Sequence, residues 1–251
     1  MRITHISDTH NKHNALNGKL PGGVLLIHSG DLTSIGRKHE VEKFIEWFGK
    51  QDYMHKVFIA GNHDLVFQSE KLFQTKSSYF EGIQYESGNE GKPDWLVELL
   101  GNLPTGVHYL ENSSVQIEGI NIWGSPVSPS FGYGWAFNKA RGYDISQVWA
   151  EIPMETDIVI THTPIYGHND RASNTNENVG CADLYHRLKE VQPHLHFCGH
   201  IHEAYGWKTM GLTSWYDLQT FNGCSCNLRY QAENNPITFD YNFESGEINF
   251  I

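Results

Sequence analysis

Cysteine and positive charge are both in short supply in this chain. Four cysteines, Cys181, Cys198, Cys224 and Cys226, occur in 251 residues. They form no C-x-x-C pair of the kind that holds structural zinc, and they are too sparse for a disulfide framework, so reduced thiols are expected. Lys and Arg number 18 against 29 Asp and Glu, a formal net charge of −11. That balance leaves no cationic excess to track a phosphate backbone and excludes tight non-specific binding of long nucleic acid. No apolar run reaches the roughly 18 residues of a membrane helix, and no segment pairs a basic start with an apolar middle as a signal peptide does. What is present, 39% hydrophobic and 13% aromatic residues, suffices for a large core, and one domain over residues 1–251 is the simplest expectation.

Five short apolar runs stand out: MRITHISD, VLLIHSGD, KVFIAGNHD, DIVITHTP and LHFCGHIH. Each ends in polar residues or glycine, as buried strands of an α/β sheet do. Between the second and third, Val41, Phe44, Ile45 and Phe48 recur at helical spacing, which predicts a crossover helix. Further helices are expected at DWLVELLGNL, with Asp94 capping the first turn, and at ADLYHRLKEV, which Pro193 follows. Residues 107–126 and the stretch from about Gly211 are rich in β-branched and aromatic residues broken by turn signals, and read as antiparallel strands with a last hairpin at Glu-Ser-Gly-Glu. The Gly- and Glu-rich stretch Ser77 to Lys92 reads as a mobile loop or insertion.

The chemistry sits where these runs end. Asp8 and His10 are two apart, so at the end of an extended segment both side chains face the same way. Gly30-Asp31, Gly61-Asn62-His63-Asp64 and Thr161-His162 end the next three runs, where ligands collect in parallel α/β sheets. Gly199-His200-Ile201-His202 ends the fifth. Any one of these pieces alone is more often a solvated turn than a metal site. Five in succession offer carboxylate, amide and imidazole groups to one rim.

In this order, D-T-H, G-D, G-N-H-D, T-H and G-H-I-H resemble the calcineurin-like metallophosphoesterase family. HSGDLTSIG, GSPVSPSFGYGWAFN, ITHTPIYG, CGHIHEAYG and CSCNLRY are similar to its branch of metallophosphoesterase-domain proteins that includes cyclic nucleotide phosphodiesterases. The resemblance covers nearly the whole chain. It implies a four-layer α/β/β/α sandwich and two divalent cations, Mn, Fe or Zn. One is expected on Asp8, His10, Asp31 and His202, the other on Asp31, Asn62, His162 and His200, with Asp31 bridging. By the same resemblance His63 is the catalytic histidine rather than a ligand, and His200 decides whether the second ion is held, since some animal relatives have glycine there.

Two divalent cations against two aspartates leave a positive centre that attracts a phosphate in an otherwise acidic protein. The expected reaction is hydrolysis of a small phosphodiester such as a cyclic nucleotide by hydroxide supplied at the metals, with His63 giving a proton to the leaving oxygen. The alternatives are a phosphomonoesterase, a protein phosphatase or a nuclease on the same ligands, and a non-catalytic scaffold. His168 and Arg171, in the loop after His162, and Trp135, in the aromatic stretch Phe131 to Phe137, are candidate substrate contacts. That stretch reads first as a Gly-spaced turn packing its own rings, with base stacking as the alternative. His5, His28 and Cys198 lie within strand patterns and are assigned to packing, and His194 and His196, at the beginning of their strand and far from the rim, are read as structural or exposed. With Asp8 and His10 so near the start, a cleaved leader would remove ligands, and a cytoplasmic location away from membranes is expected.

Overall fold

The computed structural model describes residues 1–81, 91–213 and 216–251, with the side chains of 77–81 and 212–213 set aside. In chain order the first half comprises β1 (Arg2–Ile6), β2 (Gly23–Ser29), α1 (Lys38–Gly49), β3 (Tyr53–Ile59), α2 (Leu65–Gln68), α3 (Glu70–Glu81), α4 (Asp94–Gly101), β4 (Val107–Tyr109), β5 (Ser113–Ile117) and β6 (Ile120–Ser125). There follow β7 (Ser128–Pro129), β8 (Asn138–Lys139), α5 (Tyr143–Ala150), β9 (Ile158–Thr161), α6 (Ala182–Val191), β10 (Leu195–Cys198), β11 (Gly206–Thr213), β12 (Tyr216–Asn222), β13 (Ile237–Tyr241) and β14 (Ile248–Phe250). Among the described residues no helix is long and apolar enough to cross a membrane.

Alternation along the apolar runs decides the layering. In β2, Leu25 and Ile27 point to one face and Leu26 and His28 to the other, and all four are fully buried. A strand covered on both sides belongs inside a layered sandwich. Two six-stranded sheets result, ordered β14-β13-β1-β2-β3-β4 and β11-β12-β10-β9-β6-β5. Between them lie Ile3, Leu25, Ile27 and Val57 from the first sheet with Ile158, Ile160 and Phe197 from the second. The opposite faces carry the helices. Phe58 meets Phe44 and Phe48 of α1 at 5.7 and 5.9 Å between ring centroids, and Trp123 meets Trp149 of α5 at 6.3 Å. Each such side chain taken fully out of water stabilises the fold by roughly 1.5–3 kcal/mol. The architecture is the four-layer α/β/β/α sandwich that the resemblance implies.

Three details differ from the sequence reading. The five apolar runs are not neighbours in one sheet: β1, β2 and β3 pair in the first, β9 and β10 in the second. Continuous burial reports cover on both faces but not which sheet a strand joins. Residues 107–109 were expected in an antiparallel group, yet β4 pairs parallel to β3. Helices intervene between the two, and a strand returning through helices to the same sheet arrives parallel. Residues 77–81 of the expected loop end α3 instead, and most of the remaining stretch lies outside the described residues. The last hairpin is present as antiparallel β13 and β14, and β13 pairs with β1.

The loops that carry the chemistry are fastened to this frame. The Glu40 carboxylate, at the start of α1, accepts the backbone N–H of Arg37 (3.0 Å) and the side-chain amide of Asn11 (2.8 Å). One buried carboxylate thus caps α1 and ties the loop after β1 to it.

Candidate metal centre

The C-terminal ends of β1, β2, β3, β9 and β10 meet at one rim, where two sheets rather than one supply the side chains. His202 Nε2 lies 3.3 Å from Asp8 Oδ1 and 3.2 Å from His10 Nε2. Asp31 Oδ2 lies 3.8 Å from His10 Nε2 and 3.4 Å from His162 Nε2, and His162 Nε2 lies 2.9 Å from Asn62 Oδ1. Two donor sets result, Asp8-His10-His202 and Asp31-His162-His200, each with ligand atoms mutually within 4.8 Å. Asp31 stands between them. His63 groups with His10 and Asp31 at the same spacing.

Backbone carbonyls aim the rings. His10, His162 and His202 donate Nδ1–H to the carbonyls of Thr33 (3.3 Å), Ser29 (2.9 Å) and Asn227 (2.9 Å), which leaves Nε2 of each for the centre. His63 donates Nδ1–H to the Ser34 carbonyl at 2.8 Å. Anchoring of this kind fixes both tautomer and orientation in metal-binding histidines. Asp8 is held from behind: its Oδ2 accepts from Ser7 Oγ (2.6 Å), the His200 N–H (3.0 Å) and Cys224 Sγ (3.1 Å). Asp31 Oδ1 accepts the His63 N–H at 2.8 Å, which leaves Oδ2 to face the imidazoles. Mixed oxygen and imidazole donors, already oriented and buried, fit divalent Mn, Fe or Zn.

Strain marks the same residues. Asp8, His10, Asp31 and His200 all have left-handed backbone, with φ of 49°, 40°, 55° and 68°. Non-glycine residues enter that region at a cost of order 1–3 kcal/mol and persist there only when the surroundings hold them. Gly199 is required for a different reason. A Cβ there would sit 2.1 Å from both Asp8 Oδ2 and Ser7 Oγ, inside the hydrogen bond that orients Asp8. Asp64 provides the remaining fastening: buried, it accepts from the backbone N–H groups of Leu32, Thr33 and Gly61 and from Thr33 Oγ1, and so joins the loops after β2 and β3.

Electrostatics follow from this crowding. Burial alone would raise the Asp8 and Asp31 carboxyls, but the imidazoles around them hold both below the ordinary carboxylate range. Burial works against charge on His162 and His202 as well, yet Asp31 beside the first and Asp8 beside the second hold each up at about 9. His10 and His200 have weaker support, and burial depresses them to about 4 and about 3. A cation that takes the Nε2 atoms of His162 and His202 must displace their protons, which are present below about pH 9. Metal uptake should therefore tighten from pH 6 to pH 9, by up to about tenfold per pH unit for each proton displaced. Calorimetric titration of manganese in buffers of different ionisation enthalpy measures this release. Uptake that is independent of pH would remove both histidines from the donor set.

Aromatic rings surround the mouth. Trp135 packs on His63 at 4.4 Å, Phe131 on His200 at 4.7 Å, and Tyr230 on His10 at 4.8 Å. The stretch from Phe131 to Phe137 does pack its own rings, Phe131 against Trp135 at 6.5 Å, but it does so over the centre. His168 and Arg171 lie elsewhere. Arg171 turns to Asn176 at 2.8 Å and lines a separate depression with Glu203 and Trp207, and half-buried His168 belongs to neither donor set. The strand histidines are structural: His5 bonds Ser29, His28 bonds Thr9, and His196 lies between Thr161 and Thr220. His194 is near Tyr241, and all four cysteines are free and buried. Sequence reasoning assigned no part to Asp64 or Tyr230, and weighed Phe131 only within the aromatic stretch Phe131 to Phe137, as self-packing or base stacking. Asp64 and Tyr230 stand in quoted motifs, G-N-H-D and CSCNLRY, which was the only signal available.

Comparison with known proteins gives the family and the fold. Residues 1–204 match the calcineurin-like phosphoesterase family. The chain is 39% identical over 240 residues to human metallophosphoesterase domain-containing protein 1, a match covering 95% of this chain and 70% of that one. It is 33% identical over 251 residues to the Caenorhabditis elegans UPF0046 protein C25E10.12, covering 98% of this chain and 83% of that one. The solved structure of TT1561 from Thermus thermophilus superimposes with a TM-score of 0.58 at 12% identity, covering 99% of this chain and 97% of that one, and shares the fold.

Proposed function

This chain belongs to the calcineurin-like phosphoesterase family of metal-dependent phosphoester hydrolases, and on that premise we propose that it is a phosphodiesterase acting on small diesters such as cyclic nucleotides. The observation that carries the reading is the double donor set joined at Asp31, with His63 beside it. Asp8, His10, Asp31 and His202 would hold one divalent cation, and Asp31, Asn62, His162 and His200 the other, drawn from Mn, Fe and Zn. When bound, such ions polarise phosphate oxygens and lower the pKa of an attacking water.

The chain's own groups do the rest. Asp31 accepts the His63 N–H and so fixes the His63 backbone relative to both donor sets. The Ser34 carbonyl takes Nδ1–H, so a proton on Nε2 of His63 is the one available to the departing ester oxygen. Apolar rings at the mouth favour a diester, whose second organic group gains contact area there. The complete donor set argues against a scaffold with a decayed site. The free, buried thiols suit the reducing cytoplasm, where we place the protein.

Manganese-loaded protein assayed on a 2′,3′-cyclic nucleotide, bis(nitrophenyl) phosphate, nitrophenyl phosphate, a phosphopeptide and single-stranded DNA tests the reading. The expected result is turnover of the diesters with kcat/KM well above that of the monoesters. Preference for the monoesters or the phosphopeptide would make this a phosphatase, and preference for DNA a nuclease.

A further inference from the structure

We infer that Phe131 is a specificity-determining residue of this centre, one face of a slot that receives a flat heteroaromatic ring borne by the ester, and the inference rests on the phosphodiesterase reading above. A cavity of about 310 Å³ opens beside His200, lined by Phe131, Arg141, Thr163, Asn174 and Thr175 among others. That volume lies at the small end of the range for ligand pockets and suits a nucleoside-sized group rather than a polymer.

The rings at its edge are ordered. Phe131 and Trp135 are nearly parallel, at 18° between planes, and Phe131 retains 37% of its surface exposed. Phe131 contacts His200 and Trp135 contacts His63, so the pair runs from one donor set to the proton donor. Gly132, in left-handed backbone at φ 55°, supplies the turn between them. Trp135 lies on the ring of the proton donor at 4.4 Å, and Phe131, stacked on Trp135, carries that apolar surface to the cavity. The polar residues Thr163, Asn174 and Thr175 line the same cavity. A π-face together with donors and acceptors fits the face and edge of a heteroaromatic ring better than an alkyl chain.

The rest of the lining is preformed. Arg141 donates to the carbonyls of Gly180 and Val179 at 2.7 Å each. Buried Asp170 accepts the N–H groups of Gly167 (2.9 Å) and Gly180 (3.0 Å). Val179 donates its N–H to the Asp170 carbonyl at 3.0 Å, so the segment carrying Asn174 and Thr175 is closed on itself. Arg141 acts here as a positioning residue, and a preformed slot spares the ordering cost of binding.

The test compares manganese-loaded wild type, Phe131→Ala and Phe131→Leu on 2′,3′-cyclic AMP and on glycerol 1,2-cyclic phosphate, which share a strained cyclic diester and differ in the base. Wild type should prefer the nucleotide. In Phe131→Ala the ratio of the two kcat/KM values should fall about ten- to hundredfold, the usual worth of one stacked base, and Leu, apolar without a π-face, should restore little of it. An unchanged ratio, whether both rates drop or neither does, would mean that Phe131 acts only through its packing on His200, and would overturn the inference. Calorimetric binding of adenosine 3′-monophosphate and glycerol phosphate provides the second readout. If wild type hydrolyses neither cyclic diester, the phosphodiesterase reading fails and binding decides: tighter binding of the nucleotide that Phe131→Ala abolishes preserves the slot, and equal binding of the two ligands overturns it.

Discussion

Asp31→Asn is expected to lose both cations and to reduce turnover by about a thousandfold or more. Asp31 Oδ2 faces His10 on one side and His162 on the other, and Asp31 groups with His10 and His63 as well as with His162 and His200. Its charge helps to hold His162 up at about 9, and the amide removes that anion from between His10 and His162. An amide oxygen is a far poorer bridge between two dications than a carboxylate. Losing several kcal/mol of transition-state stabilisation accounts for the fall in rate. His202→Ala makes the contrast, because His202 contacts Asp8 and His10 and not His162. It should release one equivalent of metal and leave the other. Elemental analysis of both purified variants, with circular dichroism to show that each is folded, measures this. Two metals retained in Asp31→Asn would defeat the bridging assignment.

How much of this was legible in the sequence follows from what kind of information each feature needs. The donor residues were readable because each lies within a few residues of a strand end, and a buried strand announces its end by changing from apolar to polar residues. His200 and His202 could be separated from His194 and His196 on that ground alone, and the structure places His196 between two threonines and in neither donor set. Which sheet each strand joins was not readable, since β2 and β9 carry the same pattern of burial on both faces. Tyr230 was out of reach for a related reason, and Phe131 was legible only as part of a stretch that packs its own rings or stacks a base, not as a ring over His200. Their positions over His200 and His10 depend on where a glycine turn and a C-terminal segment fall in space. That segment is directed by Asn222, whose side chain accepts the Cys224 N–H and donates to the Gly199 and Ile201 carbonyls, a contact between residues more than 20 apart. Local spacing carries no trace of such a contact.

His63→Gln should keep its full metal content and lose activity in a way that depends on the leaving group. The backbone N–H that His63 gives to Asp31 survives the substitution, so the aspartate keeps its orientation and both donor sets stay in place. What disappears is a ring anchored to the Ser34 carbonyl and packed against Trp135 and His10, the one imidazole of the cluster outside both proposed ligand sets. General acid assistance is typically worth about a hundred- to ten-thousandfold, and it matters most where the departing oxygen is strongly basic. A ribose alkoxide leaving from a cyclic nucleotide needs that proton, whereas a nitrophenolate is stable without it. The expected result is a kcat reduced by about that factor on 2′,3′-cyclic AMP and by much less on bis(nitrophenyl) phosphate, with metal measured in the same preparations. His63 also groups with His10 and Asp31 closely enough to be a ligand, so the metal measurement is decisive. Loss of one equivalent would move His63 into the donor set, and equal losses of rate on both substrates would make it a group that positions the phosphate rather than one that delivers a proton.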